Sequence, residues 1–185
     1  SRNGYFCMKS GSASFGTQPI PQLLIKQAVP ASIGILVMSL NILIDTIKLV
    51  SELDKDIKIN FKTNLEKILF KCDKEQLSRV FLNLIKNSIE SIQQKAEKNT
   101  NFIKNISIEL NDLNDHISLI INDNGIGFDS LSNNIKEILN PYFTTKKQGT
   151  GLGLSIVNKI INDHNGNIEF ISKEDGAVIK INLTK

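Results

Sequence analysis

Tryptophan is missing from this 185-residue chain, and cysteine and histidine occur only twice each. So few cysteines exclude a disulfide framework. Cys7 and Cys72 could pair, but two isolated thiols fit a reducing cytoplasm. A strong charge of either sign is also lacking. The formal net charge is +3, without the concentrated basic face of a nucleic-acid binder, so no nucleic-acid partner is expected. Long hydrophobic runs are missing too. Residues 31–44 form an apolar stretch, but Ser32, Gly34, Ser39 and Asn41 interrupt it and Asp45 ends it. A bilayer span needs about 20 apolar residues. No cleavage site follows, so the stretch does not read as a signal peptide. What the chain has instead is 41% hydrophobic and 22% charged residues, enough for a core and against global disorder. Its length suits one domain with some extra chain. Because it starts at Ser1 rather than Met, it reads as a fragment or a processed chain.

Three stretches differ in composition. Residues 1–32 are rich in Ser, Gly, Gln and Pro and read as a linker or tail. Residues 33–55 carry Leu36, Leu40, Leu43, Ile44, Ile47 and Val50 at helical spacing. Residues 56–185 hold the remaining elements. IKINFK (57–62) alternates as a strand does, and EKILFKC (66–72) reads as a second short strand. Asp73 is placed to cap a long helix, with Gln76 as its capping-box partner. Leu77, Val80, Phe81, Leu84, Ile85, Ser88 and Ile92 form that helix's apolar stripe. ISIEL (106–110) and HISLIIN (116–122) read as a hairpin around the polar turn NDLND. Leu152–His164 reads as a helix stopped at Asn165-Gly166. NIEFIS and AVIKINL make a final hairpin. The predicted class is α+β: a two-layer α/β sandwich, its mostly antiparallel sheet covered on one face by helices.

Four short stretches carry chemistry. In NLIKNSIE, Asn83 and Asn87 are one helical turn apart and share a face. They are either solvated surface amides or oxygen ligands for a hard cation such as Mg²⁺, which takes one or two protein oxygens beside phosphates and water. DNGIGF (123–128) ends a strand. It is either an ordinary turn or a loop in which Gly125 and Gly127 admit a flat ligand and Asp123 accepts from an exocyclic amine. NPYFTTKK (140–147) places Tyr142 and Phe143 in a polar loop. These are either a plug for the core or a flap whose aromatic docks with ligand while Lys146 or Lys147 reaches phosphate. KKQGTGLGLSIV sets Gly149, Gly151 and Gly153 before a helix. They are either a loose hinge or a backbone cradle for phosphate at the helix N-terminus. The pattern is GxGxG after a loop, so it is not the dinucleotide fingerprint GxGxxG after a strand, nor a Walker loop.

In this order the four resemble the N, G1, F and G2 boxes of the catalytic ATP-binding domain of bacterial sensor histidine kinases. That family shares a superfamily with DNA gyrase B, Hsp90 and MutL. The resemblance covers residues 57–185, and PYFTTK with GTGLGLSIV is most similar to the nitrogen-regulation type. It implies the Bergerat-type ATP-binding fold over 56–185, with ATP and Mg²⁺ as ligands. Asn87 would bind the metal, and Asn83 and Asn87 would form the catalytic pair. Asp123 would hold the adenine amine, with Gly125 and Gly127 shaping its pocket. Residues 128–148 would form an ATP lid containing Phe143 and Lys146. Gly149, Thr150, Gly151, Leu152 and Gly153 would hinge that lid and face the phosphates.

Asn83 bears on the reaction. ATPase branches of the superfamily usually place Glu there as general base for water, and an amide cannot take that proton. The resemblance therefore implies transfer to a protein histidine, in a two-component system that passes the phosphoryl group to a response regulator. The alternatives are a nucleotide-binding regulatory module without transfer and a stand-alone ATPase. Neither His116 nor His164 sits in a phosphoacceptor pattern. The acceptor and dimerisation domain is expected upstream, joined through the helix of residues 33–55, in a homodimeric parent. That parent would be cytoplasmic here and could be anchored in the inner membrane. His164 is expected to carry its charge at a helix C-terminus. Two departures stand out. Glu90-Ser91 replaces the Lys or Arg followed by Tyr of many kinases, and Gly176-Ala177 lacks a hydroxyl near adenine.

Overall fold

The computed structural model describes residues 40–52, 54–64, 72–99, 101–128, 135–144, 146 and 149–185. Helix α1 is Leu40–Ser51, inside the helix expected over 33–55. It buries Leu43, Thr46, Ile47 and Val50, the spacing of one helical face. Strand β1 is Lys58–Thr63. The strand expected over 66–72 lies outside the described residues, apart from Cys72. Residues 1–32 lie outside them as well.

Helix α2 runs from Lys74 to Ala96. Asp73 caps it: Oδ1 accepts from the backbone N–H groups of Glu75 (2.9 Å) and Gln76 (3.0 Å). The capping box forms in altered shape. The Gln76 amide donates to Asp73 Oδ2 at 3.2 Å, and the Asp73 N–H donates instead to Nε2 of His164 at 3.0 Å. That bond corrects the expected charge on His164. Its Nε2 accepts, so its proton sits on Nδ1, which donates to the Ile160 carbonyl at 2.8 Å. The ring is neutral and ties the start of α2 to the end of the next helix.

Among the described residues the sheet has five strands, in the order β1-β2-β3-β5-β4. The others are β2 Asn105–Leu113, β3 His116–Asp123, β4 Gly166–Lys173 and β5 Gly176–Thr184. β1 pairs parallel with β2 (Ile59 opposite Ile106), and the remaining pairs are antiparallel. The parallel pair needs a crossover, and α2 supplies it. The β2–β3 hairpin is tighter than its polar sequence suggests. β2 continues through Leu113, leaving only Asn114-Asp115 in the turn, with Asn114 at φ 38°. Asn111 pairs with Ser118 on the sheet face away from the helices.

The other face is the core side. Ile106, Ile108 and Leu110 of β2, Ile117, Leu119 and Ile121 of β3 and Ile179, Ile181 and Leu183 of β5 are all buried. They pack with Leu77, Val80, Phe81, Leu84, Ile85, Ile89 and Ile92 of α2. Each such side chain contributes about 1.5–3 kcal/mol when fully buried. Helix α3, Gly153–Asp163, adds Val157, Ile160 and Ile161 and packs on α2 and β4. Asn165, at φ 54°, makes the left-handed stop after it. A 3-10 helix, Ile135–Leu139, sits beside α3. The expected two-layer sandwich is the fold observed.

Candidate functional site

Asp123 is the last residue of β3 and points to the helix layer, opposite Ile106. It is only 4% exposed. Its Oδ2 accepts from the Ser88 hydroxyl of α2 at 2.9 Å, and its Oδ1 accepts from the Gly125 N–H at 3.0 Å. Burial raises its pKa above the usual carboxylate value, and these two donors, among others, oppose the rise. A carboxylate has about four acceptor sites, so capacity remains for a further donor.

The loop after Asp123 is held from several sides. Asn124 exchanges bonds with the start of β2: its Oδ1 accepts from Asn105 N–H (2.9 Å), and its amide donates to the Ile103 carbonyl (2.7 Å). Ile126 N–H donates to Ser91 Oγ at 3.0 Å. The Lys95 ammonium donates to the carbonyls of Asn124 (3.0 Å) and Gly125 (3.1 Å) and pairs with Asp175 in the β4–β5 turn. It also lies 5.0 Å from the centre of the Phe102 ring. Gly125 is pressed so close to α2 that a Cβ there would sit 2.7 Å from the Ser91 carbonyl carbon. Gly127 lies against Gly176, and the Phe128 ring meets Phe170 edge-on at 5.5 Å. The lost hydroxyl position, Gly176-Ala177, therefore closes this loop from behind.

Asn87 precedes Ser88, so the helix turn that grips Asp123 also carries the Asn87 amide. Asn83 and Asn87 are half-buried, not plain surface amides. Asn87 Oδ1 accepts from the Lys146 ammonium at 3.0 Å, and Lys146 also pairs with Glu90. Asn83 faces the start of α3: its Oδ1 would lie 3.6 Å from a Cβ on Gly153. The first turn of α3 has Leu152 at its N-cap, with no side-chain cap bond. Its leading N–H groups therefore have no intrahelical partner. Thr150 meets the Leu152 N–H only at 3.5 Å. Gly151 has φ 67°, a left-handed conformation that suits glycine, and its carbonyl accepts from Tyr142 N–H at 3.0 Å. Gly149 N–H donates to the Lys146 carbonyl. Phe143 is already packed on the core as a plug, whereas Tyr142 is 76% exposed.

Residues 72–185 match the family described as histidine kinase-, DNA gyrase B- and HSP90-like ATPase. The chain belongs to this family. It is 35% identical over 130 residues to an NtrY-like sensor histidine kinase of Rickettsia conorii, covering 70% of this chain and 20% of the relative. It is 30% identical over 154 residues to the sensor histidine kinase ZraS of Escherichia coli K12, covering 82% of this chain and 31% of ZraS. The chain thus spans about a fifth to a third of these relatives. Among solved structures, the catalytic domain of the histidine kinase ThkA matches with a TM-score of 0.66 and 30% identity, over 78% of this chain and 91% of that one.

As a member of this ATPase family, the chain has a donor set suited to its nucleotide. Asp123 is a buried acceptor, the first N–H groups of α3 have no intrahelical partner, and the Asn87 amide oxygen accepts from the Lys146 ammonium. Among the described residues no group of three or more His, Cys, Asp or Glu could hold a metal. No helix among the described residues is long and apolar enough to cross a membrane. Ser88 and Lys95 hold Asp123 and the loop after it, and the sequence does not single them out. Ser88 falls within the apolar stripe, although a hydroxyl there is a signal of a buried partner. Nothing local marks Lys95, whose acceptors lie about 30 or more residues away.

Proposed function

We propose that this chain is the ATP-binding catalytic part of a two-component sensor histidine kinase of the nitrogen-regulation type. The observation that carries the reading is the Ser88–Asp123 bond, which brings a buried adenine acceptor to within one residue of the amide of Asn87. Asp123 would accept from the adenine amine. Gly125 and Gly127 would hold the loop beside the base. Asn87 would hold Mg²⁺, which would supply positive charge to offset that of the phosphates. The N–H groups after Gly151 and Leu152, with Thr150 and Lys146, would orient the terminal phosphates. Asn83, an amide of α2 facing the start of α3, offers no base for water, which favours transfer to a side chain.

The acceptor histidine would come from a separate helical domain of a homodimeric parent, with a response regulator downstream. Both histidines of the chain are engaged: His116 Nδ1 lies 2.7 Å from Asp115, and His164 bridges α2 and α3. The parent's inner-membrane anchoring and a cytoplasmic site for this part are carried over from the same reading.

Titration with a fluorescent ATP analogue and Mg²⁺ tests the site. Wild type should bind, and Asn87→Asp and Asp123→Asn should bind less. Equal binding by all three would sink the assignment. Mixing the chain with its cognate histidine domain and labelled ATP tests transfer. Binding without labelling would favour the regulatory module instead.

A further inference from the structure

Lys146 meets α2 at two oxygens. Its ammonium donates to Asn87 Oδ1 at 3.0 Å and pairs with the Glu90 carboxylate. Asn87 and Glu90 are three residues apart, so both project from one side of the helix. The side chains of Lys146 and Glu90 are 36% and 33% exposed, so water screens the pair only in part. Glu90 has a second cation nearby, Lys86, but at 4.0 Å. A lysine ammonium and a magnesium ion ask the same thing of an amide oxygen: a lone pair facing positive charge. The oxygen cannot serve both closely, because the two cations repel.

Resting on the nucleotide-binding reading above, we propose that Glu90 is a positioning residue that seats the Lys146 ammonium on the metal-facing oxygen of Asn87 while no nucleotide is bound. Arrival of a magnesium nucleotide then exchanges one cation for another at Asn87 and hands Lys146 to the phosphates. Glu90, the acidic residue that departs from the basic pattern of many kinases, thereby holds the phosphate-binding lysine in reserve.

Glu90→Gln keeps the shape and an acceptor but removes the charge that holds the lysine. In the full chain it should tighten binding of a fluorescent, non-hydrolysable ATP analogue with Mg²⁺ roughly threefold, the scale of a partly screened ion pair. The gain should vanish in a Lys146→Met background, where no lysine is left to release. In the nucleotide-free chain, the side-chain amide resonances of Asn87 should shift in both single variants. An unchanged or weakened affinity in Glu90→Gln would overturn the proposal. So would a gain of equal size in the Lys146→Met background, which would reflect only repulsion between Glu90 and phosphate. Unshifted Asn87 resonances would do the same. If wild type binds no nucleotide at millimolar concentration, the function reading falls, and the Asn87 resonances still decide the lysine contact.

Discussion

The two ends of the candidate site are built differently. At the Asp123 end, Ser88, Ser91 and Lys95 reach from successive turns of α2 to hold the loop of residues 124–126, and β2 and the β4–β5 turn close it from the other sides. At the proposed phosphate end, among the described residues of 140–151, Lys146 reaches α2, Tyr142 donates to Gly151 and Phe143 packs on the core. The difference teaches where discrimination and where adjustment are lodged. A base pocket gains from groups fixed before the ligand comes. Polyphosphate charge must be met by groups that can exchange partners.

Four substitutions test that contrast, from the largest effect to the smallest. Asp123→Asn should weaken binding of the ATP analogue about 100-fold, the scale of losing a hydrogen bond to a buried charged acceptor. It should not unfold the chain, because an amide can still accept from Gly125 and donate to the Ser88 hydroxyl. Its pH behaviour sharpens the point. The folded pKa of Asp123 lies above its unfolded value. Wild type is therefore favoured by this group below the unfolded value and loses that contribution as pH rises through the folded one. The melting temperature of Asp123→Asn relative to wild type should rise with pH across that window; a relative fall would contradict the burial argument.

Gly125→Ala should cost about 2 kcal/mol of stability in a denaturant titration, because its Cβ would strike the backbone of α2. Lys95→Met, which strips two carbonyls and Asp175 of their donor, should cost about 1 kcal/mol and loosen nucleotide binding in parallel. Tyr142→Ala, at the exposed side of the phosphate end, should stay within about 0.5 kcal/mol of wild type. If Tyr142→Ala proved as damaging as Gly125→Ala, the contrast between the two ends would be lost.

Much of this was legible in the sequence because it is local. The stripe of α2, the Asp73 cap and the Asn165 stop each depend on neighbours within a few residues. What was not legible depends on distant partners. The cap's own N–H is taken by His164, 91 residues away, which fixes that ring as neutral where helix position alone suggested a charge. The polar segment 111–113 reads as turn but is strand, because it keeps register with His116, Ile117 and Ser118 of β3 and leaves only Asn114-Asp115 in the turn. Ser88 reads as stripe filler until Asp123 arrives beside it from 35 residues away. Phe143 had two readings, and its packing on the core favours the plug.

α3 packs on α2, with His164 at its end accepting from the Asp73 N–H and Gly153 at its start lying beside Asn83. A packed helix shifts less readily than the chain leading into it, so the N–H groups of its first turn hold their place while the groups before Gly149 exchange partners. Lengthening the chain just before Gly149 should therefore change how fast phosphates come and go, and leave unchanged where they come to rest.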